Sequence, residues 1–254
     1  MTTVQDIFEK LQEWAPLNLQ MDFDNSGFLA GHRDREVRKV LLALDITEPV
    51  IEEAEGCGAQ LLVSHHPVIF HGLKSVTDQG PGRKIQMLVE KGLSAVCMHT
   101  NLDIAPGGVN DVLIRLLGAE PMGPLDSDGC GRVGELPEAV PMPAFLDFCK
   151  ATLNAKGLRY VDAGKPVRHL AVMGGSGGDA LYFALEKGCD TYVTADIKYH
   201  TFLDAAELGI NLIDADHFCT ENPVIPVLAK HLGEAFPDVE FLVSRSHHQI
   251  VSFR

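Results

Sequence analysis

Short apolar runs of strand length alternate with segments of helical spacing along this chain, and that alternation restricts it to an α/β architecture. Val40 to Asp45 reads as a strand, Glu48 to Glu55 as a helix closed by Gly56 or Gly58, and Gln60 to Ser64 as a second strand. Residues 82–92 predict a helix, 93–98 a strand, and 108–117 a helix ending at Gly118. Upstream, Thr2 with Gln5 resembles a capping box before Val4, Ile7, Phe8, Leu11 and Trp14, whose spacing is helical; Pro16 ends that helix. From Pro121 to Gly134 the pattern dissolves into Pro, Gly, Asp and Ser, the best candidate for a boundary.

Beyond that stretch the pattern returns. Val37-Arg38-Lys39-Val40-Leu41 is matched by Val167-Arg168-His169-Leu170-Ala171, and Gly56-Cys57 through Val63-Ser64 by Gly188-Cys189 through Val193-Thr194. A constant offset of about 130 residues points to a duplicated α/β unit. In the second copy the strand runs into Asp196, Lys198 and His200 instead of His65 and His66, so the duplicate is expected to keep the scaffold and lose direct ligation.

At 254 residues, 46% hydrophobic and 22% charged, the chain has material for one large or two smaller cores. No apolar stretch approaches the roughly 20 residues that span a bilayer, and the start lacks a basic n-region, so the expectation is a soluble cytoplasmic protein. Cysteines 57, 97, 130, 149, 189 and 219 are dispersed without a Cys-x-x-Cys pair and read as reduced core thiols. A formal net charge of −14, with no Lys/Arg cluster, argues against a nucleic-acid surface. A phosphorylated small molecule could still bind locally beside divalent cations.

Chemistry concentrates where apolar runs end. Leu61-Leu62-Val63-Ser64 breaks into His65-His66-Pro67, at the carboxyl end of a strand, where open α/β sheets bind ligands. Val96-Cys97-Met98 runs into His99, Thr100, Asn101 and Asp103, and a third apolar run, Leu212-Ile213, breaks into Asp216, His217 and Glu221. Each cluster alone fits a packed pair, a cap or a surface loop equally well. Together they argue for a metal. His65, His66, Asp103, His217 and Glu221 are too many for one tetrahedral zinc and lack the sulfur of a structural site. Two ions fit better, and mixed imidazole and carboxylate ligation suits zinc, iron, manganese, cobalt or nickel alike.

Ser64-His65-His66-Pro67, His99-Thr100-Asn101-Leu102-Asp103, Thr194-Ala195-Asp196-Ile197-Lys198-Tyr199-His200 and His217 with Glu221 resemble the signature motifs of the GTP cyclohydrolase 1 type 2 homologues, also called NIF-like or domain of unknown function 34. Asp22 to Gly31 resembles the opening motif, so the likeness runs from about residue 4 to the carboxyl end. Relatives often carry glycine where Ala195 stands here. The resemblance implies a dinuclear metal centre on His65, His66, Asp103, His217 and Glu221, activity on a nucleotide or related heterocycle, and a ring-shaped homohexamer. It also implies a NIF-like fold: two intertwined, duplicated α/β lobes with mixed sheets. The first is expected over 1–124, joined by 210–254, and the second over 125–209.

Other residues carry weaker signals. Asp196, Lys198 and His200 read either as a salt-bridged helix start or as groups beside the metals, with His200 the better general acid or base and Lys198 the better anion holder. Gly174-Gly175-Ser176-Gly177-Gly178 either aims N–H groups at a phosphate or, fitting better, makes a close turn against the sheet. Asp22, Asp24 and Asn25 read as turn and cap formers. Cys219, between His217 and Glu221, is a candidate metal neighbour. His71 reads as a loop residue, and His247-His248, before a terminal Ile-Val-Ser-Phe strand, lack nearby carboxylates and read as structural. Two functions follow: a metal-dependent hydrolase, or a metal-handling chaperone or ring scaffold without turnover.

Overall fold

The computed structural model describes all 254 residues. They form two compact units, the first of residues 1–105 and 225–248, the second of 106–224 and 249–254. Of the expected first lobe, residues 106–124, 210–224 and 249–254 fall in the second unit. No helix is long and apolar enough to cross a membrane.

The chain begins with α1 (Val4–Trp14), whose capping box lies one residue later than the sequence spacing suggested. Thr3, not Thr2, is the N-cap: its hydroxyl accepts from the Asp6 amide (3.3 Å) and Asp6 accepts from the Thr3 amide (2.7 Å). Thr3→Ala is expected to lower stability by about 1 kcal/mol, seen as a lower urea midpoint at unchanged slope; an unmoved midpoint would refute the cap. β1 (Gly27–Ala30), β2 (Lys39–Ala43), α2 (Glu48–Cys57), β3 (Leu61–Ser64), α3 (Arg83–Glu90), β4 (Ser94–Cys97) and α4 (Thr100–Ile104) follow. Thr47 caps α2, and Gly58 closes it in the left-handed conformation (φ 75°) that glycine adopts without a Cβ clash.

The second unit holds α5 (Val109–Leu116), β5 (Glu120–Gly123), β6 (Arg132–Val140), α6 (Met142–Thr152), β7 (Arg159–Val161), β8 (Val167–Ser176), α7 (Leu181–Glu186), β9 (Thr191–Ala195), α8 (Tyr199–Leu208), β10 (Asn211–Asp214) and α9 (His217–Glu221). α10 (Val224–Ala235) and β11 (Glu240–Val243) complete the elements. β11 pairs parallel with β2, and residues 250–253, expected as a strand, form none.

Both sheets are mixed. The first has the order β1-β4-β3-β2-β11, parallel except for β1 against β4. The second has the order β5-β6-β8-β9-β10-β7, with β8, β9 and β10 parallel and the other pairs antiparallel. β3 and β4 are buried at every position, which is why they read as unbroken apolar runs instead of alternating ones. Leu41, Ile51, Leu62 and Leu88 lie at the centre of one core; Leu113, Phe145, Leu170, Val193 and Ile213 fill the other.

The duplication is visible in the hydrogen bonds. Gln60 Oε1 accepts from the Arg38 and Lys39 amides, and the Asp190 carboxylate accepts from the Arg168 and His169 amides. The Met98 amide donates to the Ser64 carbonyl where β3 ends, and the Ala215 amide to the Thr194 carbonyl where β9 ends. In both units the third parallel strand of the repeat, β4 or β10, runs into a five-residue helix, α4 or α9. His99 and Asp103 stand four apart at the first, as His217 and Glu221 do at the second.

Candidate metal centre

In the first unit, the ends of β3 and β4 bring His65, His66 and His99 together. One ring nitrogen of each lies within 4.8 Å of the others, and the ring centroids are 5.0–5.5 Å apart. His65 is fully buried, and its Nδ1 donates to the Met98 carbonyl (2.8 Å). A carbonyl only accepts, so Nδ1 carries a proton. The Nε2 of the same ring lies 3.6 Å from Asp103 Oδ1, on α4. His66 Nδ1 donates to Asp45 Oδ1 (2.8 Å), and His99 Nδ1 to Asp24 Oδ1 (2.7 Å).

The carboxylates that aim these rings are held ionised. Burial would raise both, but hydrogen bonds from His247 and His66 to Asp45, and from His99 and Thr100 to Asp24, outweigh it and hold them well below the usual carboxylate range. Asp24 also accepts from the Thr100 amide (3.0 Å) and the Ser26 hydroxyl (2.9 Å). It is therefore an orienting group, more than the turn former its sequence neighbours suggest.

In the second unit, α9 carries His217 and Glu221 on one face, with His217 Nε2 3.0 Å from Glu221 Oε2. His217 Nδ1 is 2.7 Å from Asp196 Oδ2, at the end of β9. Burial alone would lower the His217 pKa, but Glu221 and Asp196 raise it to about 9, so uptake of a cation through Nε2 requires that proton to leave. Asp196 and Asp216, at the end of β9 and the start of α9, hold positive φ of 53° and 74°, a strain that clusters at functional sites. Asp216 caps α9 by accepting from the Cys219 amide (3.1 Å).

The first two glycines of the run lie against this pair within β8. β8 continues through Gly174 and Gly175, whose amides donate to Asn110 Oδ1 (2.8 Å) and Thr220 Oγ1 (3.0 Å). Gly175 has φ 64°, and a Cβ there would collide with Glu221 Oε1 and stand 3.1 Å from His217 Nε2. Cys219 packs into the core, and burial first, then Asp216, pushes its thiol pKa up to about 12.

The residues fit divalent cations. In His65, His66, His99 and His217 alike, Nδ1 bonds an oxygen acceptor, which is the arrangement by which metal-binding histidines are oriented. The donors are imidazole and carboxylate, with thiolate absent, as for zinc, iron, manganese, cobalt or nickel. Sequence reasoning placed His99 among the loaded strand ends but left it out of the ligand set, and it missed Asp45 as an orienting group. It also expected no carboxylate near His247, yet His247 Nε2 lies 3.1 Å from Asp45 Oδ2. Lys198 and His200 stand exposed at the start of α8, and of the three residues expected to be catalytic, Asp196 is the one that bonds His217.

Fold and site thus define a mixed α/β protein with candidate imidazole and carboxylate metal clusters at strand ends. Residues 2–249 match the Duf34/NIF3 (NGG1p interacting factor 3) family, and the chain belongs to it. A relative from Clostridium perfringens named GTP cyclohydrolase 1 type 2 homolog is 38% identical over 251 residues, covering 95% of this chain and 96% of that protein. The crystal structure of Staphylococcus aureus protein SA1388 superposes with a TM-score of 0.90 at 26% identity, covering 100% of this chain and 99% of that one. Reduced HcgD from Methanocaldococcus jannaschii gives a TM-score of 0.82 at 30% identity, covering 95% and 97%.

Proposed function

We propose that the protein is a dinuclear metal-dependent hydrolase acting on a nucleotide, a related heterocycle or a phosphoester, with His65, His66, Asp103, His217 and Glu221 holding two divalent ions. The observation that carries this is the clustering of His65, His66 and His99, together with the shared tie of His65, His66 and His217 to an oxygen through Nδ1. The names of the curated relatives point to the substrate class. When bound, the two ions supply Lewis acidity to a substrate oxygen and lower the pKa of a water towards neutrality.

The chain's own groups do the rest. The Met98 carbonyl, Asp45 and Asp196 hold the Nδ1 edges of His65, His66 and His217 and so fix the ring orientations, and His217 gives up its Nε2 proton when a cation binds. Asp196 therefore acts on His217 and not on substrate. His99, aimed by Asp24, presents Nε2 beside His65 and His66. His200 serves as general acid or base, and Lys198 holds an anionic substrate group. In this reading the chain assembles as a ring-shaped homohexamer, and exposed Phe148, Tyr160, Tyr182 and Tyr199 supply apolar area for self-association.

The test is turnover against a panel of nucleotides and phosphoesters before and after chelation. The expected result is activity lost on chelation and restored by added metal. His200→Ala should then lower kcat by about 10²–10⁴-fold with metal content unchanged. Tightly held metal without turnover on any substrate would overturn the hydrolase and leave the metal-handling or scaffold role.

A further inference from the structure

The last turn of the chain touches the groups that aim ligands in each unit. After β11, the Ser244 amide donates to the Leu42 carbonyl (2.8 Å), while the Ser244 hydroxyl and the Arg245 and Ser246 amides converge on the Glu53 carboxylate of α2 (2.5–3.2 Å). That anchor delivers His247, whose amide donates to Ser244 Oγ (3.2 Å) and whose Nε2 meets Asp45 twice, 3.3 Å from its amide and 3.1 Å from Oδ2. The other oxygen of Asp45 accepts from His66 Nδ1 (2.8 Å). Asp45 is thus gripped on one side by His247 and turns its other oxygen to His66.

Two residues later the chain does the same in the second unit. Gln249 Nε2 donates to Asp216 Oδ1, the oxygen that accepts from the Cys219 amide and caps α9. α9 carries His217 and Glu221, and Asp216 holds a φ of 74° that an unsupported aspartate would abandon. Gln249 is itself fixed, its Oε1 accepting from the Val251 amide (2.7 Å). Farther along, Phe253 packs so closely on Gly157 that a Cβ there would meet the ring at 2.8 Å.

We propose that residues 244–249 are a positioning strap in which His247 sets the ring of His66 through Asp45 and Gln249 sets the start of α9 through Asp216. The strap supplies no ligand. It narrows the orientations open to the ligand side chains before any ion arrives, and a terminal segment lying outside every signature motif thereby takes part in the site. The affinity consequence rests on the metal reading above, whereas the ring orientation does not.

Two readouts separate them. In metal-free, full-length protein carrying ¹⁵N-histidine, NMR reports the tautomer of His66 directly. His247→Ala is expected to convert His66 from one Nδ1–H tautomer to a mixture, with His65 unchanged, while His247→Gln, whose Nε2–H can reach Asp45, restores the single tautomer. In cobalt titrations of the same proteins, the Kd should rise about 10–100-fold for His247→Ala and return to within about threefold for His247→Gln. Gln249→Ala should weaken cobalt binding similarly and shift the His217 signals. A His66 tautomer unmoved in a folded His247→Ala protein, or equal defects in the Ala and Gln variants, would overturn the strap. If the wild type binds neither cobalt nor zinc, iron, manganese or nickel, the metal reading fails and the tautomer series still decides the positioning role.

Discussion

Glu221→Ala and His66→Ala are each expected to leave a folded protein that no longer retains its full complement of metal. Glu221 is buried on a five-residue helix, and its carboxylate fits the space that Gly175 leaves beside it. Truncation removes one partner of His217 and lowers stability, but the Glu221 carboxylate leaves with its own desolvation cost and Asp196 still pairs the ring, so the variant is expected to fold. His66 is half-buried, with its ring tied to Asp45, and an alanine there leaves β3 intact. Losing a donor outright should cost more than the roughly 10–100-fold in affinity that loss of an orienting partner costs. Circular dichroism would show native spectra, and elemental analysis fewer ions per chain than in the wild type. Two ions retained by both variants would refute the ligand assignment.

Gly175→Ala is expected to do comparable damage without touching a ligand. The new Cβ would occupy the place of Glu221 Oε1 and approach its Cδ to 3.0 Å, so the carboxylate must move. The backbone at φ 64° adds about 1–2 kcal/mol of left-handed strain for any residue with a Cβ. The variant should melt several degrees below the wild type and lose metal together with stability. Gly178→Ala is the control: its Cβ would find only the Ile197 Cα, at 3.7 Å. A Gly175→Ala protein with wild-type metal content would show that Glu221 does not need this cradle.

What the sequence made legible was the set of strand ends. β3, β4 and β10 are buried strands that end abruptly, so a change from apolar to His, Asp or Glu marks the place where ligands emerge. The α/β class and the duplication followed from the same runs. The groups that aim the ligands were not legible, because hydrogen-bond partners are set by tertiary approach. Asp24 lies 75 residues from His99, and the Asp45 amide contact to His247 spans 202. Gly175 read as punctuation since its meaning is the Glu221 carboxylate 46 positions on. β5 escaped notice for a different reason. It is a short edge strand, Glu-Pro-Met-Gly, paired to β6 through an irregular register, and Pro and Gly are tolerated there because one side of the strand needs no partner.

The capping box shows how small a local error can be. Thr2 and Thr3 are adjacent and both are suited to cap a helix, but the Val37 amide donates to the Thr2 carbonyl and Thr3 bridges to Glu36. Those contacts fix the entry of the chain, and the helix begins after Thr3. A contact 35 residues away thus decides between two equivalent local signals.

Metal content per chain tests most directly whether this is a metal protein. Protein purified without an affinity metal column and analysed for elements should carry close to two ions of zinc, iron, manganese, cobalt or nickel per chain, lost on chelation and taken up again on reconstitution. Protein that carries none, and binds none when offered each of these ions, would contradict the central claim and return the oriented histidines to a structural role.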